Sequence, residues 1–200
     1  MAQFFYTHGT MNSGKSIEVL KVVHNYEEQN KRVILLTSGV DNRTKVGEVA
    51  SRIGLRKDAH CIYPDTDIFE YINQLEEGVT DGSPLYAVVV DECQFLTTKQ
   101  VRQLAQLVDE CEVPVLCFGL KNDFQNQLFE GSQALLTYAD KIHEMKTVCK
   151  HCNRKATMNM RLHDGVPVYE GEQVQIGGNE SYAAVCRACY YNPPLPVKGK

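Results

Sequence analysis

Three features are missing from this 200-residue sequence: a long apolar run, a basic leader and an excess of positive charge. The longest apolar run, which includes residues 86–90, is far shorter than the roughly 18 residues of a membrane-spanning helix, so we expect no membrane partner. The first six residues lack the charged and apolar regions of a signal peptide, which predicts a cytoplasmic protein. A net charge of −4 argues against a nucleic-acid partner.

The composition that remains is typical of a folded protein. Hydrophobic residues make up 43% and charged residues 23%, which excludes disorder as the dominant state. Four short apolar runs, at residues 3–7, 32–37, 85–90 and 115–120, predict buried strands, and helical patterns separate them. This alternation predicts an α/β fold in which helices flank a parallel sheet.

The character of the sequence changes after about residue 147. Two CxxC motifs, with a glycine-bearing stretch between them, replace the helical patterns. We therefore predict an α/β domain at residues 1–147, a small second domain at 148–191 and a flexible tail at 192–200.

A glycine-rich motif lies between the first predicted strand and the first helical pattern. It matches G-x4-GK[ST] at Gly9, Thr10, Met11, Asn12, Ser13, Gly14, Lys15 and Ser16. In such a loop, backbone N–H groups surround phosphate oxygens, Lys15 reaches the outer phosphates and the Ser16 hydroxyl binds Mg²⁺. A glycine-rich turn with an incidental lysine is the competing interpretation, but the strand-loop-helix context favours an ATP site in the α/β domain.

Two carboxylates, Asp91 and Glu92, directly follow the apolar run at residues 85–90. A carboxylate at the end of a buried parallel strand faces the crevice where ligands bind, and in phosphate-loop enzymes an Asp there orients Mg²⁺. We expect Asp91 to serve the metal and Glu92 to act as a general base towards the phosphoryl acceptor. The alternative is that one of them only caps the next helix.

Half of the eight cysteines fall in the two CxxC motifs, at Cys149, Cys152, Cys186 and Cys189. Four thiolates at this spacing predict a closed tetrahedral Zn²⁺ site, which is structural and not catalytic. His151 is a less favoured ligand, and a redox role is less favoured because a redox pair would not need a second copy. The zinc would hold the base of the long loop between the motifs. The other cysteines are expected in the core, at Cys61, Cys93, Cys111 and Cys117.

The combination of these motifs resembles one family, the zinc-containing (type II) thymidine kinases. Segments that match the family in order along the chain are residues 11–16, 41–43, 91–95, 119–124, the two cysteine motifs and 171–182. The resemblance implies a RecA-like phosphate-loop fold with a small C-terminal zinc-ribbon domain that carries a lasso loop.

The resemblance also implies roles for the matching residues. Glu92 would accept the proton of the nucleoside 5′-hydroxyl, Phe124 would stack on the base and Phe95 would line its pocket. The lasso would bind thymine through main-chain groups at Gln173, Val174, Gln175, Ile176 and Gly177, with Tyr182 packing at the nucleoside. The nucleotide-binding set would add Asp41, Arg43, Asp91 and Gln94 to the phosphate loop. At Asn159 the sequence departs from relatives that carry Thr near the thymine methyl, and no role is assigned to it.

The activity implied is transfer of a phosphoryl group from ATP to thymidine, and less well to deoxyuridine, with Mg²⁺ and a structural Zn²⁺. A homotetramer and feedback binding of dTTP are further expectations from the resemblance. Two other functions compete: a RecA-like zinc-ribbon ATPase that acts on DNA, and a nucleotide-sensing module without chemistry. The charge of the chain argues against the first, and a base at the acceptor side argues against the second.

Overall fold

The computed structural model describes residues 1–40, 46–173 and 182–194. Its strands are β1 (Phe4–Gly9), β2 (Arg32–Ser38), β3 (Glu48–Ala50), β4 (Arg56–Asp58), β5 (His60–Ile62), β6 (Leu85–Asp91), β7 (Val115–Gly119), β8 (Lys141–Met145), β9 (Met158–His163), β10 (Val166–Val168) and β11 (Tyr182–Val185). Its helices are α1 (Lys15–Glu27), α2 (Ile68–Glu77), α3 (Thr98–Cys111), α4 (Glu130–Tyr138) and α5 (Arg187–Tyr191).

Six of the strands form one sheet in the order β5-β2-β6-β7-β1-β8, and each neighbouring pair is parallel. The central strand β6 is covered on both faces, since residues 87–90 are at most 1% exposed. Helices α2, α3 and α4 pack on one face of the sheet and α1 packs on the other. The predicted α/β fold with a parallel sheet and flanking helices is therefore confirmed.

The parallel arrangement brings the carboxyl ends of β1, β6 and β7 to one edge of the sheet. His8 is paired with Gly119 across β1 and β7, and Val90 is paired with Cys117 across β6 and β7. The loops that follow these three strands consequently open on the same side. The polar residues predicted in the α/β part of the site end these strands or follow them, except Asp41 and Arg43, which lie outside the described residues.

A second, antiparallel sheet of three strands has the order β10-β9-β11. One face of β9 packs with the cysteines of the CxxC motifs, through Met158, Met160 and Leu162. This sheet lies within residues 148–191, the segment expected to be a second domain. The domain boundaries themselves stay a prediction, and residues 195–200 of the expected tail lie outside the described residues.

The cysteines outside the CxxC motifs do not all lie in the core. Cys93 and Cys117 are buried, whereas Cys61 is only partly buried and Cys111 is exposed. The expectation of a core position is wrong for Cys111 because this residue ends α3, beyond the last buried turn at Leu107 and Val108. Among the described residues, no helix combines the length and the apolar character needed to cross a membrane.

Gln100→Leu should destabilise the fold, because the Gln100 side chain joins α3 to the loop before α2. Its amide donates to the carbonyls of Tyr63 and Thr66 at 2.7 and 3.0 Å and accepts from the Thr97 N–H at 3.0 Å, closing a capping box. Leucine leaves these groups without partners, so the free energy of unfolding should fall by about 2–3 kcal/mol. Urea denaturation measures this free energy.

Gln106→Leu, at a less buried site on α3, is the control and should change the free energy of unfolding by less than about 0.5 kcal/mol. Equal effects of the two substitutions would contradict the stabilising role of the Gln100 hydrogen bonds.

Candidate active site

The phosphate-loop motif lies where the sequence predicts it, between β1 and α1. Asn12 and Gly14 have positive φ values of 66° and 87°, so the loop turns tightly before the N-terminus of α1. A Cβ on Gly9 would clash with the Ser13 side chain and would lie 2.9 Å from the Met145 carbonyl oxygen. The packing of β1 against β8 and the loop therefore requires glycine at this position.

The ammonium group of Lys15 is hydrogen-bonded to the backbone of its own loop. Its Nζ donates to the carbonyl oxygens of Gly9 and Thr10 at 3.3 and 2.9 Å, and the residue is buried. Thr10 Oγ1, in the same loop, is a buried polar atom that has no hydrogen-bond partner within the described part of the chain. A phosphate oxygen would give this hydroxyl an acceptor, so the loop fits the nucleotide that its motif predicts.

Asp91, at the end of β6, is nearly inaccessible to solvent. Burial and the neighbouring charge of Glu92 raise the pKa of Asp91 to about 7, although Lys15 and the Ser16 hydroxyl partly offset this. The structure thus brings Asp91 and Ser16 together, as the magnesium prediction requires. Both offer hard oxygen ligands, which fit Mg²⁺, and a divalent cation would favour the ionised carboxylate.

Glu92 adopts a left-handed backbone conformation, with φ 52° and ψ 37°, which is uncommon outside glycine. Its N–H donates to Asp91 Oδ1 at 3.0 Å, and its carboxylate oxygen Oε2 accepts from Gln94 Nε2 at 2.6 Å. Gln94 Oε1 in turn accepts from the Leu120 N–H at 2.9 Å. The Gln94 amide therefore joins Glu92 to the end of β7, with both of its ends bonded to protein groups.

The aromatic residues expected around the base lie next to these loops. Phe95, in a short 3₁₀ turn, meets the ring of Phe129 edge-on at 5.8 Å. Phe124 is buried, and the guanidinium carbon of Arg161 lies 3.5 Å from the centre of its ring. The Tyr190 hydroxyl donates to the Phe124 carbonyl at 2.6 Å. The Phe124 loop is thus held by contacts from β9 and α5.

Arg161 also contacts both ends of the segment that resembles the lasso. It donates to the Glu172 carbonyl at 2.8 Å and to the Tyr182 hydroxyl at 3.1 Å. Gln173 donates to Asp123 Oδ2 at 2.9 Å, which joins the same segment to the loop after β7. Four of the predicted lasso residues lie outside the described residues: Val174, Gln175, Ile176 and Gly177.

The four cysteines of the CxxC motifs form one cluster, in which all Sγ atoms lie within 4.8 Å of one another. Cys152 Sγ is 3.7 Å from Cys186 Sγ and 3.8 Å from Cys189 Sγ. Zinc–sulfur bonds of about 2.3 Å in a tetrahedron separate sulfurs by about 3.8 Å, whereas a disulfide bond is about 2.05 Å. The cluster therefore fits a structural zinc, and the imidazole of His151 is not part of it.

Three residues that contact the predicted site were not predicted from the sequence in these roles: Asp123, Asn159 and Arg161. Asn159 bonds the Met11 N–H and the Asn122 carbonyl, at 2.8 and 3.0 Å. A signal for Asn159 and Arg161 is present in the sequence, because Asn and Arg alternate with Met158, Met160 and Leu162. In a strand this period of two places the polar side chains on one face and the apolar ones on the other.

Asp91→Asn should stabilise the ligand-free protein at high pH. The folded state holds a proton on Asp91 up to a pKa of about 7, whereas an unfolded Asp loses it near 3.8, so stability falls as pH rises through this window. Asparagine does not titrate, so the variant should gain a few kcal/mol in free energy of unfolding at about pH 8 and little at about pH 4. Denaturation without nucleotide or metal measures this, with Asp109→Asn as an exposed control. A gain in stability that does not depend on pH would contradict the raised pKa of Asp91.

The matching family model and the similar curated proteins belong to one family. The thymidine kinase family model matches residues 2–190. A thymidine kinase of Lactiplantibacillus plantarum is 60% identical over 198 residues, which cover 99% of this chain and 100% of that protein. The thymidine kinase of Streptococcus thermophilus is 59% identical over 203 residues, with 99% and 100% covered, and that of Enterococcus faecalis is 58% identical over 193 residues, with 96% of each covered.

A crystal structure of the Pif1 helicase from Candida albicans is also similar, with 12% identity and a TM-score of 0.45 over 75% of this chain and 37% of that one. That likeness carries no argument about function. The family match, together with relatives of nearly 60% identity over almost their whole length, shows that this chain belongs to the thymidine kinase family.

Proposed function

We propose that this protein transfers the γ-phosphoryl group of ATP to the 5′-hydroxyl of thymidine, and less well of deoxyuridine, in nucleotide salvage for DNA synthesis. In this reaction the 5′-oxygen bonds to the γ-phosphorus, the bond from phosphorus to the β–γ bridging oxygen breaks, and dTMP and ADP leave. The observation that carries the proposal is the meeting, at one sheet edge, of the phosphate loop, the Asp91–Ser16 pair and Glu92.

The donor side of the site is the phosphate loop at residues 9–16. Its backbone N–H groups and the N-terminus of α1 favour negative charge. The buried Thr10 hydroxyl, which has no partner among the described residues, can donate a hydrogen bond to a phosphate oxygen. Lys15 would exchange its carbonyl partners for the outer phosphates. Ser16 and Asp91 would hold Mg²⁺, which neutralises charge on the phosphates when bound. Asp41 and Arg43 are proposed to flank the phosphates, with Arg43 stabilising the charge that develops during transfer.

On the acceptor side, Glu92 is proposed to take the proton of the 5′-hydroxyl as its oxygen attacks. The hydrogen bond from Gln94 to Oε2 fixes the orientation of the carboxylate, and Gln94 is itself anchored on Leu120. The neighbouring Asp91 carboxyl, which accepts from the Glu92 N–H, is proposed to hold the metal. The two adjacent carboxylates can therefore have separate roles, metal binding for Asp91 and proton acceptance for Glu92. They diverge because Glu92 adopts a left-handed backbone conformation.

The base is proposed to lie against Phe124, with Phe95 and Tyr182 nearby. Gln173 and the lasso residues Val174, Gln175, Ile176 and Gly177 would supply main-chain partners for the thymine edge. A missing methyl group changes binding by only about 1–3 kcal/mol, so deoxyuridine should be accepted less well, while size should exclude a purine.

The chain is further proposed to be organised in three parts. Residues 1–147 would bind ATP, residues 148–191 would be a domain held by Zn²⁺ at the four clustered cysteines, and residues 192–200 would be a tail. Their support is the sulfur geometry and the separate three-stranded sheet. A homotetramer with feedback binding of dTTP is proposed from the family resemblance alone, and a cytoplasmic location is proposed as well.

A coupled assay of ADP release, with each deoxynucleoside in turn, tests the activity. Thymidine should give the fastest turnover, deoxyuridine a slower one, and purine nucleosides none. Turnover stimulated by DNA without any nucleoside would instead indicate a DNA-dependent ATPase. Tight ATP binding without turnover on any nucleoside would indicate a sensing module.

Glu92→Gln should reduce turnover with thymidine by about 100- to 10,000-fold, because it keeps the volume and removes the base. Binding of ATP and thymidine, measured by calorimetry, should stay within a few fold of wild type. Glu130→Gln, at an exposed residue of α4, is the control and should be fully active. An active Glu92→Gln variant would move the base role to another group.

Metal analysis of the purified protein should find about one zinc per chain. Cys186→Ser should lose that zinc and weaken thymidine binding more than ATP binding, since the cysteine cluster packs against β9 and β11 and not against the phosphate loop. Cys111→Ser changes an exposed cysteine outside the cluster and should keep zinc and activity. A metal-free, fully active protein would contradict the structural role of the cluster.

A further inference from the structure

We propose that Asn159 is a positioning residue that sets the distance between the phosphoryl donor and the acceptor. This inference rests on the proposed kinase activity and deepens it. Asn159 lies on β9 of the small sheet, yet both of its hydrogen bonds reach out of that sheet. One goes to the phosphate loop and the other to the loop after β7, which leads directly into Asp123 and Phe124.

The two hydrogen bonds are short and buried. Asn159 Oδ1 accepts from the Met11 N–H at 2.8 Å, across 148 residues of sequence. Asn159 Nδ2 donates to the Asn122 carbonyl oxygen at 3.0 Å, across 37 residues. The side chain is 2% exposed, so water does not compete for either bond.

The partners determine which side chain fits this position. A backbone N–H can only donate and a backbone carbonyl can only accept, so the side chain must carry an acceptor and a donor at the two ends of one short rigid group. The carboxamide of asparagine meets this requirement. Aspartate would lose the donor and bring a buried charge against the Asn122 carbonyl, and an apolar residue would leave both backbone groups without partners.

The groups that Asn159 joins are those that hold the two substrates. Met11 follows Thr10, whose carbonyl accepts from Lys15 Nζ. Asn122 precedes Asp123, whose carboxylate accepts from the Gln173 side chain and from the backbone N–H groups of Gln125 and Gln127. One amide thus connects the donor loop with the loop that carries the proposed base platform.

Transfer needs the attacking oxygen and the γ-phosphorus about 3–3.5 Å apart and in line, and an error of about 1 Å in placement costs on the order of 100-fold in rate. Binding of each substrate alone does not depend on this distance. Loss of Asn159 should consequently lower kcat and leave the KM values nearly unchanged. A purely structural role would instead lower activity only through loss of folded protein and of zinc, and a direct base contact would raise KM for thymidine.

The test compares Asn159→Val, which removes both bonds, with Asn159→Thr, whose hydroxyl retains one hydrogen-bonding group. Asn153→Val is the control, since Asn153 is an exposed residue of the same region. We expect kcat for thymidine to fall by about 10- to 100-fold for Val and by less for Thr. KM for thymidine and for ATP should stay within about threefold, and zinc content should stay at the wild-type value.

Hydrogen exchange gives a second readout that does not require turnover. The Met11 amide should exchange at least about tenfold faster in Asn159→Val, while amides of α3 keep their wild-type protection. Unchanged kcat in a folded Asn159→Val protein, unchanged exchange at Met11, or a thymidine KM that rises with kcat retained would each overturn the inference. Absence of thymidine phosphorylation by the wild-type protein would instead overturn the proposed function, so the two failures are distinguishable.

Discussion

A carboxylate that water barely reaches is the constraint on which the site depends. Asp91 ends the valine-rich strand β6 and is 4% exposed. Burying a charge of this kind is unfavourable, and the charge of Glu92 next to it makes it more so. Lys15 and Ser16 reduce the cost without removing it. The ligand-free site therefore stores an unfavourable electrostatic energy that a bound cation would relieve, and the apolar packing of the sheet and its helices must compensate for it in the fold.

The parts of the molecule that depend on local sequence could be predicted, because each carries its own signal. The phosphate loop is recognised by its spacing of glycines and lysine, β6 by its unbroken apolar run, and the cysteine cluster by two copies of one motif. The orientation of Glu92 could not be predicted in the same way. It depends on a left-handed backbone residue and on the hydrogen bond from Gln94, which is itself held by Leu120, just after the distant strand β7.

Arg161 and Asn159 show a different limit of sequence-based prediction. Their alternation with methionines indicates a strand with a polar face, but a single sequence does not reveal what that face meets. The structure shows that it meets the Phe124 loop and the phosphate loop, while the opposite face packs with the cysteines. The exposure of Cys111 could not be predicted for a similar reason. The residue type does not reveal whether a cysteine lies on a buried turn of a helix or at its exposed end.

The two contacts that Arg161 makes, with the Glu172 carbonyl and the Tyr182 hydroxyl, have a consequence for binding entropy. The chain between these contacts has both ends held at one guanidinium, whatever path it takes between them. Bringing the ends of a loop together costs conformational entropy that grows with loop length. Here that cost falls on folding, not on nucleoside binding. For nucleoside contacts made by this segment as proposed, the free energy of each contact would consequently be available for affinity and selectivity, without a loop-closure cost at each binding event.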